Sequence, residues 1–106
     1  MVKFAFGVQD GYGLYIPHLE GGVIINCKSI GNNCRINSGV VVGNKQDNSQ
    51  IPIIGNECHL SVGCKVIGNI KLGNNVIVAP NAVVIKDVPD NCIVGGIPAK
   101  ILKENK

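Results

Sequence analysis

The chain has no tryptophan and no threonine, and only two phenylalanines and two tyrosines among its 106 residues. With so few rings there is no platform on which bases could stack. Without threonine there can be no regular threonine rows of the kind that make a flat ice-binding face. Charge is also scarce. The net +3 is spread along the chain and forms no basic run that would track nucleic acid. No apolar stretch is long enough to span a membrane, and no secretory leader pattern is visible, so the expectation is a cytoplasmic protein. The five cysteines are odd in number and show neither a CxxC pair nor a paired framework. They read as small core residues in a reducing compartment.

What is present is a period. Ile54, Leu60, Val66, Leu72, Val78 and Val84 are spaced by six, and upstream the same register runs Ile24, Ile30, Ile36, Val42. Neither a helix nor a plain strand repeats this way. A fixed short repeat means one unit stacked on copies of itself. Six residues make a short strand plus a turn, and three such units close a triangular coil. The residue after the aliphatic one is often a turn former (Gly31, Asn37, Gly43, Gly55, Ser61, Gly73). The residue four after it is often small (Cys34, Val40, Cys58, Cys64, Val76, Ala82), while Cys27 and Cys92 fall outside that phase.

Continued backwards, the phase falls on His18, Tyr12 and Phe6. From Phe6 to Val84 this gives thirteen units, or four to five coils. At about 4.8 Å per layer the prism is roughly 20 Å tall. Its narrow interior is filled by aliphatic side chains, so ligands belong on outer faces. Residues 43–53 break the pattern with a polar, turn-rich segment two units long, read as a loop extruded between coils. The segment Lys86-Asp87-Val88-Pro89-Asp90-Asn91 ends the repeat, with Asp87 and Asp90 as turn formers. One further strand covers Cys92 to Gly96. Residues 97–106 form a tail that is expected to turn into a short helix or pack on a partner. The whole is one domain, 1–106. Open ends and flat faces make oligomerisation a physical expectation.

There are two histidines. His18 stands where the repeat calls for an aliphatic residue, and such inconsistencies concentrate at functional sites. An imidazole titrating near neutrality is suited to taking a proton from a hydroxyl or amine. The alternative is a histidine packed at a coil end against a backbone carbonyl, and the sequence leaves both open. His59 has an outward phase and reads as an exposed or interface residue. Their spacing is not that of metal ligands, and no metal is expected. The acidic groups that could orient His18 are Asp10, Glu20 and Asp47, each also readable as a solvated charge.

The hexad register, the extruded loop, Gly13-Leu14-Tyr15-Ile16-Pro17-His18, Gly21-Gly22-Val23-Ile24-Ile25-Asn26, Gly39-Val40-Val41-Val42-Gly43 and the ending Val94-Gly95-Gly96-Ile97-Pro98-Ala99-Lys100 together resemble the hexapeptide-repeat acyltransferases. Within that superfamily the likeness is to serine O-acetyltransferases and to sugar or polysaccharide O-acetyltransferases. The resemblance implies a left-handed parallel β-helix, all-β, assembled as a homotrimer with active sites in the clefts between prisms. It implies acetyl-CoA as co-substrate, His18 as general base, and a backbone oxyanion donor near Gly43. The CoA arm is expected past Ser61, Gly63, Ala79, Lys86, Pro98, Ala99 and Lys100. Glu20, Asn26 and Asp47 are the candidate acceptor contacts.

Three departures bear on the acceptor. Serine acetyltransferases carry a second histidine before a loop proline, where this chain has Ile51 before Pro52. They place an aspartate fifteen residues before the catalytic histidine, where this chain has Lys3. Their helical amino-terminal domain has no counterpart here. The first departure favours a sugar or polysaccharide hydroxyl as acceptor. The alternatives are serine itself or a non-catalytic trimeric scaffold. A zinc lyase of the γ-carbonic anhydrase kind needs three histidines per site, and two per chain argue against it.

Overall fold

Aliphatic residues six apart, each followed by a turn former, leave room between corners for strands of only two to five residues. The computed structural model describes residues 22–46 and 49–105, and the backbone of 2–4 and 9–10. The described residues contain no helix. The chain winds as a left-handed parallel β-helix. A first, partly described coil holds β1 (Val2–Phe4) and β2 (Gln9–Asp10). The next has β3 (Val23–Ile25), β4 (Ser29–Ile30) and β5 (Arg35–Ile36). Above it lie β6 (Val41–Gly43), β7 (Ile53–Ile54) and β8 (His59–Leu60), then β9 (Lys65–Ile67), β10 (Lys71–Leu72) and β11 (Ile77–Val78). The last coil has β12 (Val83–Val84), a bridge at Val88 and β13 (Cys92–Gly95), and β14 (Lys100–Glu104) closes the stack.

The first face runs β1-β3-β6-β9-β12, the second β2-β4-β7-β10, and the third β5-β8-β11-β13-β14. Each face sends one column of side chains inward: Ile25, Val42, Val66, Val84; Ile30, Ile54, Leu72, Val88; and Ile36, Leu60, Val78, Val94, all buried. The small-residue phase fills the corners, where all five cysteines are buried and free. Cys34 and Cys58 stack on one another, and each thiol donates to a carbonyl of the coil above, Gly55 at 3.2 Å and Gly73 at 3.1 Å. Register places Cys92 in this same column, above Val76.

A ladder of side-chain carbonyls ties the corners between the second and third faces. Asn56 Oδ1 accepts from Asn32 N–H at 2.8 Å, Asn74 Oδ1 from Asn56 N–H at 2.8 Å, and Asp90 Oδ1 from Asn74 N–H at 2.7 Å. The coils approach so closely here that a Cβ on Gly55 would stand 2.6 Å from the Gly73 carbonyl oxygen. Only glycine fits such a position without moving backbone. Asp87 likewise accepts from Lys71 N–H at 2.9 Å, so both aspartates are turn formers as expected.

The structure corrects the register in three places. Ile24 is 49% exposed, while its neighbours Val23 and Ile25 are buried. Side chains alternate along a strand, and Ile25, not Ile24, stacks on Val42. The step from Ile25 to Ile30 is therefore five residues. Phe6, Tyr12 and His18 lie outside the described residues; the pairing that is described sets Phe4 opposite Ile25 and Asp10 opposite Ile30. The repeat also does not end at Val84, because Val88 and Val94 complete another coil after one shortened step. Finally, the tail is not a short helix, and it packs on its own chain. β14 pairs antiparallel with β13, and Asn105 Nδ2 donates to Asn75 Oδ1 at 3.0 Å, a clasp that ties the tail to the stack.

Candidate functional site

Two corners flank the first face, and the sequence-derived site residues divide between them. At the corner between the third and first faces, Asn37, Ser61, Ala79 and Gly95 form a column, each following an inward aliphatic residue. One step on, Gly63 turns with φ +71°, and Lys65 Nζ donates to its carbonyl at 2.6 Å. The Gly96–Ala99 turn lies against this edge. Val83 N–H donates to Gly96 O at 3.0 Å, and Ala99 N–H donates to Val83 O at 2.8 Å. The fold thus gathers Ser61, Gly63, Ala79, Pro98, Ala99 and Lys100 on one side of the prism. Ser61 is buried, whereas Pro98 and Lys100 are exposed.

At the opposite corner, Asn26, Gly43, Ile67 and Ile85 stack in register. The loop leaves here, between Gly43 in β6 and Ile53 in β7. A side chain on Gly43 would meet nothing within 4 Å. Gly43 is therefore open to close approach by a ligand, while its carbonyl accepts from Gly68 N–H at 3.0 Å. Lys86 follows this column and is exposed, apart from the other CoA candidates. His18, Glu20 and Asp47 lie outside the described residues.

A cleft of about 440 Å³ opens at the loop base, lined by Lys45, Gln50, Asn69, Gly68 and the aliphatic wall of Ile67, Ile70 and Ile85. Sequence reasoning marked the loop as functional but did not single out Lys45, Gln50 or Asn69. Polar residues in a turn-rich loop carry no spacing signal. What joins them is the loop neck, where Lys45 N–H donates to Gln50 O at 3.3 Å.

His59 sits half-buried on the outer third face, stacked between Arg35 and Ile77. Asn37 Nδ2 approaches its Nε2 at 3.4 Å. With the amide nitrogen as donor, Nε2 carries the lone pair and Nδ1 the proton. The Asn37 Oδ1 atom is buried without a partner. Burial, then the Arg35 guanidinium, hold the His59 imidazole below its ordinary value of 6.5. The neutral ring is thus the folded form. Because the unfolded chain binds the proton first, stability is full above pH 6.5 and falls as pH drops from there through the folded value. Urea midpoints between pH 7.5 and 5 are expected to fall for the wild type and to flatten in His59→Gln. Equal slopes in the two proteins would assign the acid sensitivity elsewhere. Among the described residues no group of three or more histidine, cysteine or acidic side chains could hold a metal ion, and no helix is long and apolar enough to cross a membrane.

No family model matches the chain. A serine acetyltransferase of Synechococcus elongatus is 38% identical over 98 residues, which cover 91% of this chain and 40% of that protein. Among solved structures, a serine acetyltransferase of Neisseria gonorrhoeae superposes with a TM-score of 0.90 at 30% identity, covering 99% of this chain and 42% of that one. A serine acetyltransferase of Brucella abortus in complex with coenzyme A superposes at 0.85 with 30% identity, covering 97% of this chain and 42% of that one. The chain spans less than half the length of each of these proteins.

Proposed function

Since the chain belongs to the hexapeptide-repeat acyltransferase superfamily, we propose that it is an acetyl-CoA-dependent O-acetyltransferase and that its acceptor is serine. The observation that carries this is the grouping of Ser61, Gly63, Ala79 and the Pro98–Lys100 segment along one edge, beside a first face whose far corner holds the open Gly43. A relative crystallised with coenzyme A supports the donor, and relatives that are serine acetyltransferases support the acceptor. On this reading the chain assembles as a homotrimer, and a neighbouring prism covers part of the first face. The half-exposed Ile24, Val62 and Ile85 suit such a cover. Five free thiols suit a reducing cytoplasm.

The chemistry follows from the residue types. His18 takes the proton of the acceptor hydroxyl as its oxygen attacks the thioester carbonyl carbon. The carbonyl electrons move to oxygen, and backbone N–H groups near Gly43 hold that charge. Collapse re-forms the carbonyl and breaks the carbon–sulfur bond, and the departing CoA sulfur receives the proton from His18. Ile51 favours a second reading, in which the acceptor is a sugar hydroxyl, because the loop histidine of serine acetyltransferases is missing.

Loss of thioester absorbance, followed with serine and with a panel of sugars, separates these readings. Serine is expected to exceed every sugar in kcat/KM by at least about tenfold. Acetyl-CoA at 100 times its Kd should also add about 2.7 kcal/mol of stability. Faster turnover of a sugar would overturn the choice of serine. Absence of both turnover and a melting shift would overturn the enzyme.

A further inference from the structure

The corner between the second and third faces holds two cysteines in adjacent layers, and the proposed chemistry uses neither. We propose that Cys34 and Cys58 are an oxidisable pair, whose sulfurs hydrogen peroxide joins in a disulfide that staples the coil carrying the extruded loop. The proposal is independent of the acceptor and of the acetyltransferase reading.

Register brings the pair together. Arg35 is opposite His59 and Ile36 opposite Leu60, so Cys34 and Cys58, one residue earlier on each strand, stand across a single layer. Adjacent parallel coils lie about 4.8 Å apart. That is inside the range of about 4.4–6.8 Å over which two Cα atoms accept a disulfide. The Cys34 side chain also points toward its neighbour's layer. Its Sγ donates at 3.2 Å to Gly55 O, three residues before Cys58 on the same coil. A hydrogen bond joins the two thiols themselves. Other corners lack such a match: by register Cys64 lies between Val40 and Ala82, and Cys92 stands above Val76.

The same contacts divide the roles. A hydrogen bond from the Cys58 thiol, working against burial and helped by the N–H groups of Cys58 and Glu57, holds Cys34 below the ordinary thiol value. Cys34 therefore loses its proton first, while Cys58 keeps its own. A two-sulfur oxidation needs one thiolate to open the oxidant and one thiol to resolve the product. The Cys34 sulfur attacks one peroxide oxygen and the O–O bond breaks. The departing hydroxide takes up the Cys34 proton as water, and Cys34 becomes a sulfenic acid. The Cys58 sulfur then attacks the Cys34 sulfur, and the S–O bond breaks. The second hydroxide leaves as water with the Cys58 proton. Two thiols lose two electrons, and one peroxide is reduced to two waters.

Both sulfurs are buried, with Cys34 at 0% and Cys58 at 1% exposure. Peroxide thus arrives when the corner opens locally. Its small size lets an opening suffice that leaves the coils stacked. The resulting bond closes residues 34–58 into a loop that contains β6, Gly43, the extruded segment and β7. Such a crosslink removes conformations from the unfolded chain.

The test treats the purified, folded protein with hydrogen peroxide, then denatures, alkylates and maps its peptides by mass spectrometry. Two fewer cysteines should be alkylated than the five of the untreated chain, with Cys34 joined to Cys58. The melting temperature should rise by several degrees and return with dithiothreitol. Cys34→Ala and Cys58→Ala should each slow disulfide formation at least about tenfold, and Cys92→Ala should leave it unchanged. If a variant fails to fold, the wild-type map decides alone. A crosslink between other cysteines overturns the proposal, as does sulfinic acid at Cys34 with Cys58 still alkylated. A Cys34–Cys58 bond that forms only in urea, or an oxidised protein that melts no higher than the reduced one, overturns it as well.

Discussion

Replacing His18 with alanine is expected to lower kcat by about 10²–10⁴-fold, the range that a positioned general base contributes. The oligomeric state and the acetyl-CoA melting shift should persist, because on the proposed reading the change removes only the proton acceptor and leaves the edge around Ser61 and Ala79, where CoA is proposed to lie, intact. The pH profile of kcat should lose its acid limb in His18→Ala, since an imidazole is the group that would titrate there. A kcat within twofold of wild type would assign the base to another side chain and make His18 a packing residue. Lys3 stands where serine acetyltransferases place an aspartate. The imidazole of this chain would then work without that partner, or with Asp10, Glu20 or Asp47.

Ile25→Ala is expected to destabilise the protein by about 2–5 kcal/mol, as deletions of fully buried aliphatic side chains do. Its neighbour Ile24→Ala should cost no more than about 1 kcal/mol. The two residues are identical and adjacent in the chain but differ in environment: Ile25 is 0% exposed and Ile24 49%. Urea midpoints of both variants, against wild type at one protein concentration, check this. Similar losses in the two would mean that Ile24 is covered by a neighbouring prism.

That pair also shows how far the repeat can be read without coordinates. From Ile54 to Val84 each step is six residues, and each aliphatic position points inward. Upstream, the count lands on Ile24 because Val23, Ile24 and Ile25 are all aliphatic, and a one-residue change in a turn leaves no mark in such a run. The shortened step from Val84 to Val88 is hidden by the prolines and aspartates that make it. The tail was illegible for a different reason. Lys100-Ile101-Leu102-Lys103 has the composition of a short helix. Pairing with β13 overrides that preference, because the open edge of the third face offers the chain a full row of backbone partners. For the site, His18 was singled out by a phase counted back through Ile24, which the structure turns outward, and it lies outside the described residues. Lys45, Gln50 and Asn69 were not, because only the hydrogen-bonded loop neck and the Gly68 turn bring them to one cleft.

The buried corners carry a further consequence. A hydrogen bond to Cys34, then burial, pushes the Cys58 thiol up, and burial pushes Cys64 up to about 12. All five thiols are buried, and a buried thiol meets no reagent until the backbone around it parts. Because Cys27, Cys34, Cys58, Cys64 and Cys92 are distributed over successive layers, each acts as a clock for its own stretch of the stack. The order in which a small alkylating reagent marks them is the order in which the coils come undone, and it separates fraying from one end from collapse of the whole column at once.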